Sequence, residues 1–197
     1  MDWTWGTGHY LDLVCHDEKL ELPFAQLCAD LLEVVTSVEN PGVEARLHYD
    51  RWRALFAKQG RGGLGKSELL GLLGELFTLA DLVIGRPQRD ITFWTGPSKA
   101  EHDFQLGSNH LEVKTTTARN EVIVGIHGIG QLDAPAGESL HLVVHQVTAS
   151  DLGVSVDEQI EVLVSSGVDR IALYDKLSQA GYDWADTAQY AQYRFRR

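Results

Sequence analysis

The chain has 197 residues, 44% of them hydrophobic, and a formal net charge of -11 at neutral pH. That length and apolar content suit one globular domain, or one domain with a helical N-terminal extension. No uncharged apolar run is long enough to span a bilayer, and Met1-Asp2-Trp3-Thr4-Trp5 lacks the basic and apolar regions of a signal peptide, so a cytoplasmic location is expected. Two cysteines, Cys15 and Cys28, exclude a four-cysteine metal site and suit thiols in a reducing compartment better than a disulfide.

In chain order, a short strand is expected near residues 11–15 and an amphipathic helix over residues 22–38. Asn40-Pro41-Gly42 breaks that helix before a second one ending near Lys58. Gly60-Arg61-Gly62-Gly63-Leu64-Gly65-Lys66-Ser67 then matches the nucleotide-binding pattern G-x-x-x-x-G-K-[ST] at every fixed position. Such a loop works only where a buried strand feeds it, so that its amides wrap a phosphate at the mouth of the next helix. Residues 47–58 instead show helical spacing at Trp52, Leu55 and Phe56. The run therefore reads as a glycine linker between helices, with a weak anion-binding role for Arg61 and Lys66 left open.

Residues 67–83 form a strongly apolar helix with Leu69, Leu72, Leu73, Leu76, Ala80 and Val83 in one stripe and Ser67 as N-cap. Glu75 sits at the edge of that stripe beside Leu72 and Leu79, which predicts partial burial of a carboxylate and a need for a positive partner or a metal. Strands are expected near residues 91–94, 102–106, 111–117 and 140–147, with 121–126 as a further candidate, and helices over 156–165 and 168–180. Residues 1–66 then form a mostly helical extension and 67–197 the core.

The chemistry concentrates in His102-Asp103-Phe104-Gln105-Leu106 and His110-Leu111-Glu112-Val113-Lys114-Thr115, two short strands joined by Gly107-Ser108-Asn109. Side chains alternate along a strand, so Glu112 and Lys114 share one face while Leu111 and Val113 point into the core. Asp103 and Glu112, with a backbone carbonyl such as that of Val113, would make a hard oxygen site for Mg2+ or Mn2+. Lys114 adds positive charge where phosphoryl charge builds up. Thr115 and Thr116, first in a threonine run, offer hydroxyls and backbone donors to phosphate oxygens. By spacing alone an Asp followed by Glu-x-Lys is common, and the plain alternative is a solvated strand face with a cross-strand ion pair. Of the eight histidines, His141 and His145 read as strand residues sharing a face, and His102 and His110 as positioning groups flanking the site.

Taken in order, Gly74-Glu75-Leu76-Phe77, Trp94-Thr95-Gly96-Pro97, His102-Asp103-Phe104, Leu111-Glu112-Val113-Lys114-Thr115-Thr116 and Gln131-Leu132-Asp133 resemble the restriction-endonuclease-like PD-(D/E)XK superfamily. More narrowly they are similar to a bacterial group of PD-(D/E)XK members associated with phage-defence gene clusters, and Arg51-Trp52 and Ala180-Gly181-Tyr182 belong to the same likeness. The resemblance implies an α/β fold with an α-β-β-β-α-β core behind the helical extension, and hydrolysis of DNA phosphodiesters with magnesium or manganese. It implies Asp103 and Glu112 as metal ligands, Lys114 as the catalytic lysine, Glu75 as an auxiliary helix carboxylate and Gln131 as a polar residue near the site. His102 stands where the superfamily's label has proline, a departure that the narrower group tolerates. A further strand and turn would be expected after Arg197, so the chain reads as a shortened member or a fragment.

The acidity of the chain opposes this reading, because DNA binding normally draws on an excess of Lys and Arg. Basic residues do gather between Arg51 and Lys66 and at Arg194, Arg196 and Arg197. A basic stripe could track DNA, or a partner could deliver it, as a second copy in a homodimer or as a subunit of a larger defence complex. The second reading is a catalytically weak nuclease-fold module that binds DNA or a defence-complex partner.

Overall fold

A computed structural model of the chain describes residues 13–15, 18–38, 41–57, 63–84, 90–118, 122–126 and 129–197. Three helices come first: α1 (Glu21–Ser37), α2 (Pro41–Ala57) and α3 (Lys66–Val83). Pro41 opens α2 rather than standing outside it, as its fixed φ and missing N–H allow at a first helical position. Gly65, not Ser67, is the N-cap of α3, and Glu68 accepts a hydrogen bond of 2.8 Å from its amide. The predicted end of α2 at Lys58 and the glycine run up to Gly62 lie outside the described residues.

The sheet follows. Strand β1 (Phe104–Leu106) pairs antiparallel with β2 (Asn109–Thr116), which pairs in parallel with β3 (Ser139–Gln146), giving the order β1-β2-β3. Gly107, at φ +64°, turns β1 into β2. The strand expected at 91–94 is reduced to turns and one isolated bridge, Trp94 to Phe104. Leu13–Cys15 and Val122–Ile126 are not strands either, and Cys15 and Cys28 form no disulfide.

Parallel strands need a crossover, and the superfamily order calls for a helix there. Among the described residues between β2 and β3 there is only a 3-10 turn, Ile129–Leu132. The fold is mixed α/β, with a second, two-stranded sheet in which β4 (Thr148–Val154) meets β5 (Phe195–Arg196). Between those strands lie α4 (Val156–Ser165), α5 (Arg170–Gln179) and the short α6 (Thr187–Tyr190).

Helix α3 is apolar nearly all round because it is covered on several sides, by β2 on one and α4 on another. Gly74 is the point of closest approach: a methyl group there would overlap the Thr115 hydroxyl of β2. Trp52 meets Tyr174 of α5 edge-on at 5.3 Å, so the N-terminal helices share one core with α3, α4 and α5. No helix among the described residues is long and apolar enough to cross a membrane.

Candidate active site

The alternation of β2 divides its residues as the sequence predicts. Leu111, Val113 and Thr115 share one face, which Thr115 shows to be the face turned to α3, while His110, Glu112 and Lys114 share the other. Extending the Phe104–Leu111 pairing by one residue sets Asp103 opposite Glu112. Asp103 is pinned on three sides. Its carbonyl accepts from the amides of Thr95 (2.8 Å) and Gly96 (2.9 Å), and its Oδ2 accepts from the amide of Val113 (2.8 Å). Val113 therefore enters the cluster through its N–H.

Glu75 reaches the same place from α3. Its Oε2 accepts a 2.7 Å hydrogen bond from the indole Nε1 of Trp94, a side chain with no exposure at all. Gly96 stands between the two acids: a Cβ built there would lie 2.8 Å from Glu75 Oε2 and 2.9 Å from Asp103 Oδ1. The absence of a side chain leaves a small hollow bordered by both carboxylates. Beside it, Lys114 Nζ donates to Glu112 Oε1 (2.6 Å) and to Gln131 Oε1 (3.2 Å). Glu112 is 2% exposed.

The electrostatics follow from this enclosure. Burial above all, then the neighbouring charge of Asp103, pushes the Glu75 carboxyl up to about 8, against the Trp94 hydrogen bond and the attraction of Lys114. Burial likewise raises Asp103 to about 6, with Glu112 adding to the rise and the Val113 amide, Lys114 and His102 opposing it. Positive charge is in short supply here. Lys114 is the one ammonium in contact with the cluster among the described residues, and it is engaged by Glu112.

Behind the acids lies a polar layer. The His102 ring meets His110 edge-on at 4.9 Å and its Nε2 pairs with the Gly130 carbonyl at 3.2 Å, while His110 pairs with Glu138. These contacts fasten the 3-10 turn carrying Gln131 against β2. Trp94, Gly96 and Glu138 had no assigned role in the sequence. The Trp94-Thr95-Gly96-Pro97 stretch was the one signal available for the first two.

The structure thus brings together Glu75, Asp103, Glu112, Lys114 and Gln131. Thr116 lies on the Lys114 face and accepts from the Ala118 amide at 3.2 Å. Thr115 is turned away: its hydroxyl is buried against α3 and has no hydrogen-bond partner, because the same pleat that exposes Lys114 to one side sends Thr115 to the other. It is not placed to touch a substrate held at Lys114.

Among the described residues no three His, Cys, Asp or Glu side chains are already disposed around one point as metal ligands. Glu112 is turned to Lys114, and one Asp103 oxygen to Val113. The donor chemistry nevertheless fits a hard divalent cation, since Glu75 Oε2 and Asp103 Oδ1 border the same hollow and both acids lack positive partners of their own.

A family model described as "Putative PD-(D/E)XK family member, (DUF4420)" matches residues 4–197. The chain belongs to this family. No curated protein and no solved structure matches it. Membership agrees with the superfamily resemblance drawn from the motifs, and it covers the N-terminal helices as well as the sheet. In this PD-(D/E)XK member the glycine run is not preceded by a strand but by α2. Two of its described amides are also occupied: Leu64 N–H donates to the Tyr190 hydroxyl (2.9 Å) and Gly65 N–H to the Glu68 carboxylate, where a bound phosphate would be repelled.

Proposed function

We propose that the chain is a metal-dependent DNA endonuclease of restriction-like fold, acting in the cytoplasm as part of a bacterial phage-defence or restriction system. The observation that carries this reading is the hollow at Gly96, bordered by Glu75 and Asp103 and placed beside the Glu112–Lys114 pair. Asp103, Glu75 and Glu112 would hold Mg2+ or Mn2+, which when bound acidifies water and offsets phosphoryl charge. Lys114, held by Glu112 and Gln131, is poised to neutralise a nonbridging phosphate oxygen. The carboxyl of Glu75, raised by burial and with one oxygen fixed by Trp94, is one that a bound cation would hold in its ionised form. Thr116, on the Lys114 face, is the threonine that can reach the substrate.

The alternative is a catalytically weak module that binds DNA or a defence-complex partner, and the C-terminal arginines do little for DNA binding in either reading. Arg194 pairs with Glu158, and Arg197 with Asp81 and the face of Phe77, so part of the basic C-terminal stretch is already neutralised. Calorimetry with Mg2+ and Mn2+, together with plasmid and linear DNA cleavage, separates the two. The endonuclease reading expects metal binding that Asp103→Ala abolishes, and cleavage that Asp103→Ala abolishes with it. A wild type that binds DNA, alone or with its partner subunits, and never cuts with either metal is the binding module.

A further inference from the structure

Strand β3 is an edge of the sheet β1-β2-β3. Its parallel ladder to β2 uses every second residue: Ser139 N–H donates to the Ser108 carbonyl and Val147 N–H to that of Thr116, each at 2.9 Å, so residues 139, 141, 143 and 145 turn their peptide groups toward β2. Residues 140, 142 and 144 turn theirs outward. Among the described residues nothing pairs with the outward N–H and C=O groups of Leu140, Leu142 and Val144. Sheet edges are ordinarily blunted by charge, proline or a bulge. This one has none of them: no Asp, Glu, Lys, Arg or Pro occurs from Ser139 to Ser150, and the register with β2 runs unbroken from Ser139 to Gln146.

The side chains beside those free groups are apolar. Leu142 is 44% exposed, with Leu140 and Val144 half-buried on either side of it, and the register sets Leu142 next to Glu112 on the same face of the sheet. Two copies of a chain with net charge -11 repel one another over most of their surface. At this edge they can meet without setting like charges opposite each other.

We propose that β3 pairs antiparallel with β3 of a second copy about a two-fold axis at Leu142, joining the two sheets into one. In that register Leu142 faces its counterpart and Leu140 faces Val144, so the three outward N–H groups of each copy all find carbonyls on the other. An interface of standard size carries about 10 ± 5 hydrogen bonds, and this edge alone supplies a number within that range. Leu140, Leu142 and Val144 add apolar cross-strand pairs, and the two-fold closes the assembly at two copies. A separate peptide would have to become ordered on binding, whereas each copy brings a strand already held by its ladder to β2. What this does for the sheet site rests on the endonuclease reading. A two-fold perpendicular to the sheet leaves both Glu112–Lys114 pairs on one face, and three strand spacings put the two Glu112 positions about 14 Å apart. That is the scale of the roughly 12 Å major groove, so one duplex lying on that face meets two sites, one for each strand.

Sedimentation equilibrium of the full chain, without metal or DNA, tests the pairing. Wild type should weigh as two chains of 21.9 kDa at micromolar concentration. Leu142→Pro removes an outward N–H that the single chain does not use, and Leu142→Lys sets two ammoniums together at the axis, so each should raise the dimer dissociation constant about tenfold or more. Circular dichroism checks that Leu142→Pro folds, and Leu142→Lys carries the test if it does not. On oxidation Leu142→Cys should give a disulfide-linked dimer, because opposed residues of a hydrogen-bonded pair have Cα atoms about 5.5 Å apart. His141→Cys, set opposite Val143 of the second copy, should not, and wild type oxidised alongside accounts for Cys15 and Cys28. A wild type that stays monomeric overturns the proposal and leaves the edge to a different strand. A folded Leu142→Lys chain that dimerises like wild type, or equal cross-linking of the two cysteine variants, overturns it as well. Because mass is read without cleavage, a dimer that never cuts DNA sinks the endonuclease reading alone, and a monomer that cuts sinks this pairing alone.

Discussion

The two faces of β2 obey opposite rules. Against α3, Val113 is buried and Thr115 meets Gly74 without a hydrogen-bonding partner, so contact there depends on shape. On the other face Glu112 is as buried as a core leucine, yet it is an acid, held by Lys114 and bordered by two further acids. The first face stabilises the fold. The second is maintained against the cost of burying carboxylates, the kind of cost that marks a candidate functional site.

The comparison can be broken first from the packed side. Leu76 has no exposure in α3, so Leu76→Ala should cost about 2–5 kcal/mol of stability, read as a lowered urea midpoint. On the polar face Lys114→Ala should lower turnover about a hundredfold or more while DNA and metal affinities stay close to wild type. Lys114→Arg should fail as well, because a planar guanidinium does not fit where a compact ammonium is clasped by Glu112 and Gln131. Equal losses of binding and cleavage in Lys114→Ala would make the lysine a phosphate contact only.

Gly96→Ala sharpens the comparison by filling the hollow. Its methyl would meet Glu75 Oε2 and Asp103 Oδ1, and metal affinity should fall about 10- to 100-fold, the size of effect seen when groups supporting a metal site are disturbed. Unchanged magnesium calorimetry in this variant would remove the hollow from the proposed metal site.

The pH dependence has a definite sign. Glu75 and Asp103 have folded-state carboxyls raised to about 8 and about 6 from ordinary values of 4.5 and 3.8, so in those windows the native chain holds protons that the unfolded chain has lost. Stability without metal is therefore greatest below about pH 4, from these groups, and falls as pH climbs through 6 toward 8. Glu75→Gln should flatten the upper part of that fall and raise the melting temperature more at pH 8 than at pH 5. A uniform effect at both pH values would mean that Glu75 is already ionised in the fold. The smallest effect belongs to Lys66→Ala: its ammonium stands 5.9 Å over the Tyr193 ring, and its loss should change neither stability nor an ATP-dependent melting shift, since none is expected. A clear ATP shift in wild type that vanishes in the variant would restore the nucleotide-loop reading.

Much of this was legible in the order of residues, because it depends on local periodicity. The helix over 156–165 is α4 as predicted, with Ser155 and Glu158 closing a capping box. The apolar stripe of α3 and the alternation that separates Glu112 and Lys114 from Leu111 and Val113 are equally local properties. The glycine run showed its nature through what preceded it, a helix where a nucleotide loop needs a strand.

Other features came only from packing at long range. Ser67 looks like a better cap than Gly65, but α3 begins two residues earlier, where Glu68 can reach back to the Gly65 amide. The apolar stretch at 91–94 has strand composition, yet it meets β1 at a single bridge because its backbone instead clasps Asp103 through Thr95 and Gly96. Val122–Ile126 has strand character too, and among the described residues no strand pairs with it.

By itself the sequence determined the identity and face of Asp103, Glu112 and Lys114, since a strand's two-residue repeat follows from backbone geometry alone. Only the tertiary structure decided that Glu75, from a helix 28 residues before Asp103, arrives at the same hollow, that Trp94 holds it there, and that Gly96 leaves room between the two acids. Such convergence depends on how α3 docks on β2, and docking is set by the summed fit of many side chains rather than by any local pattern.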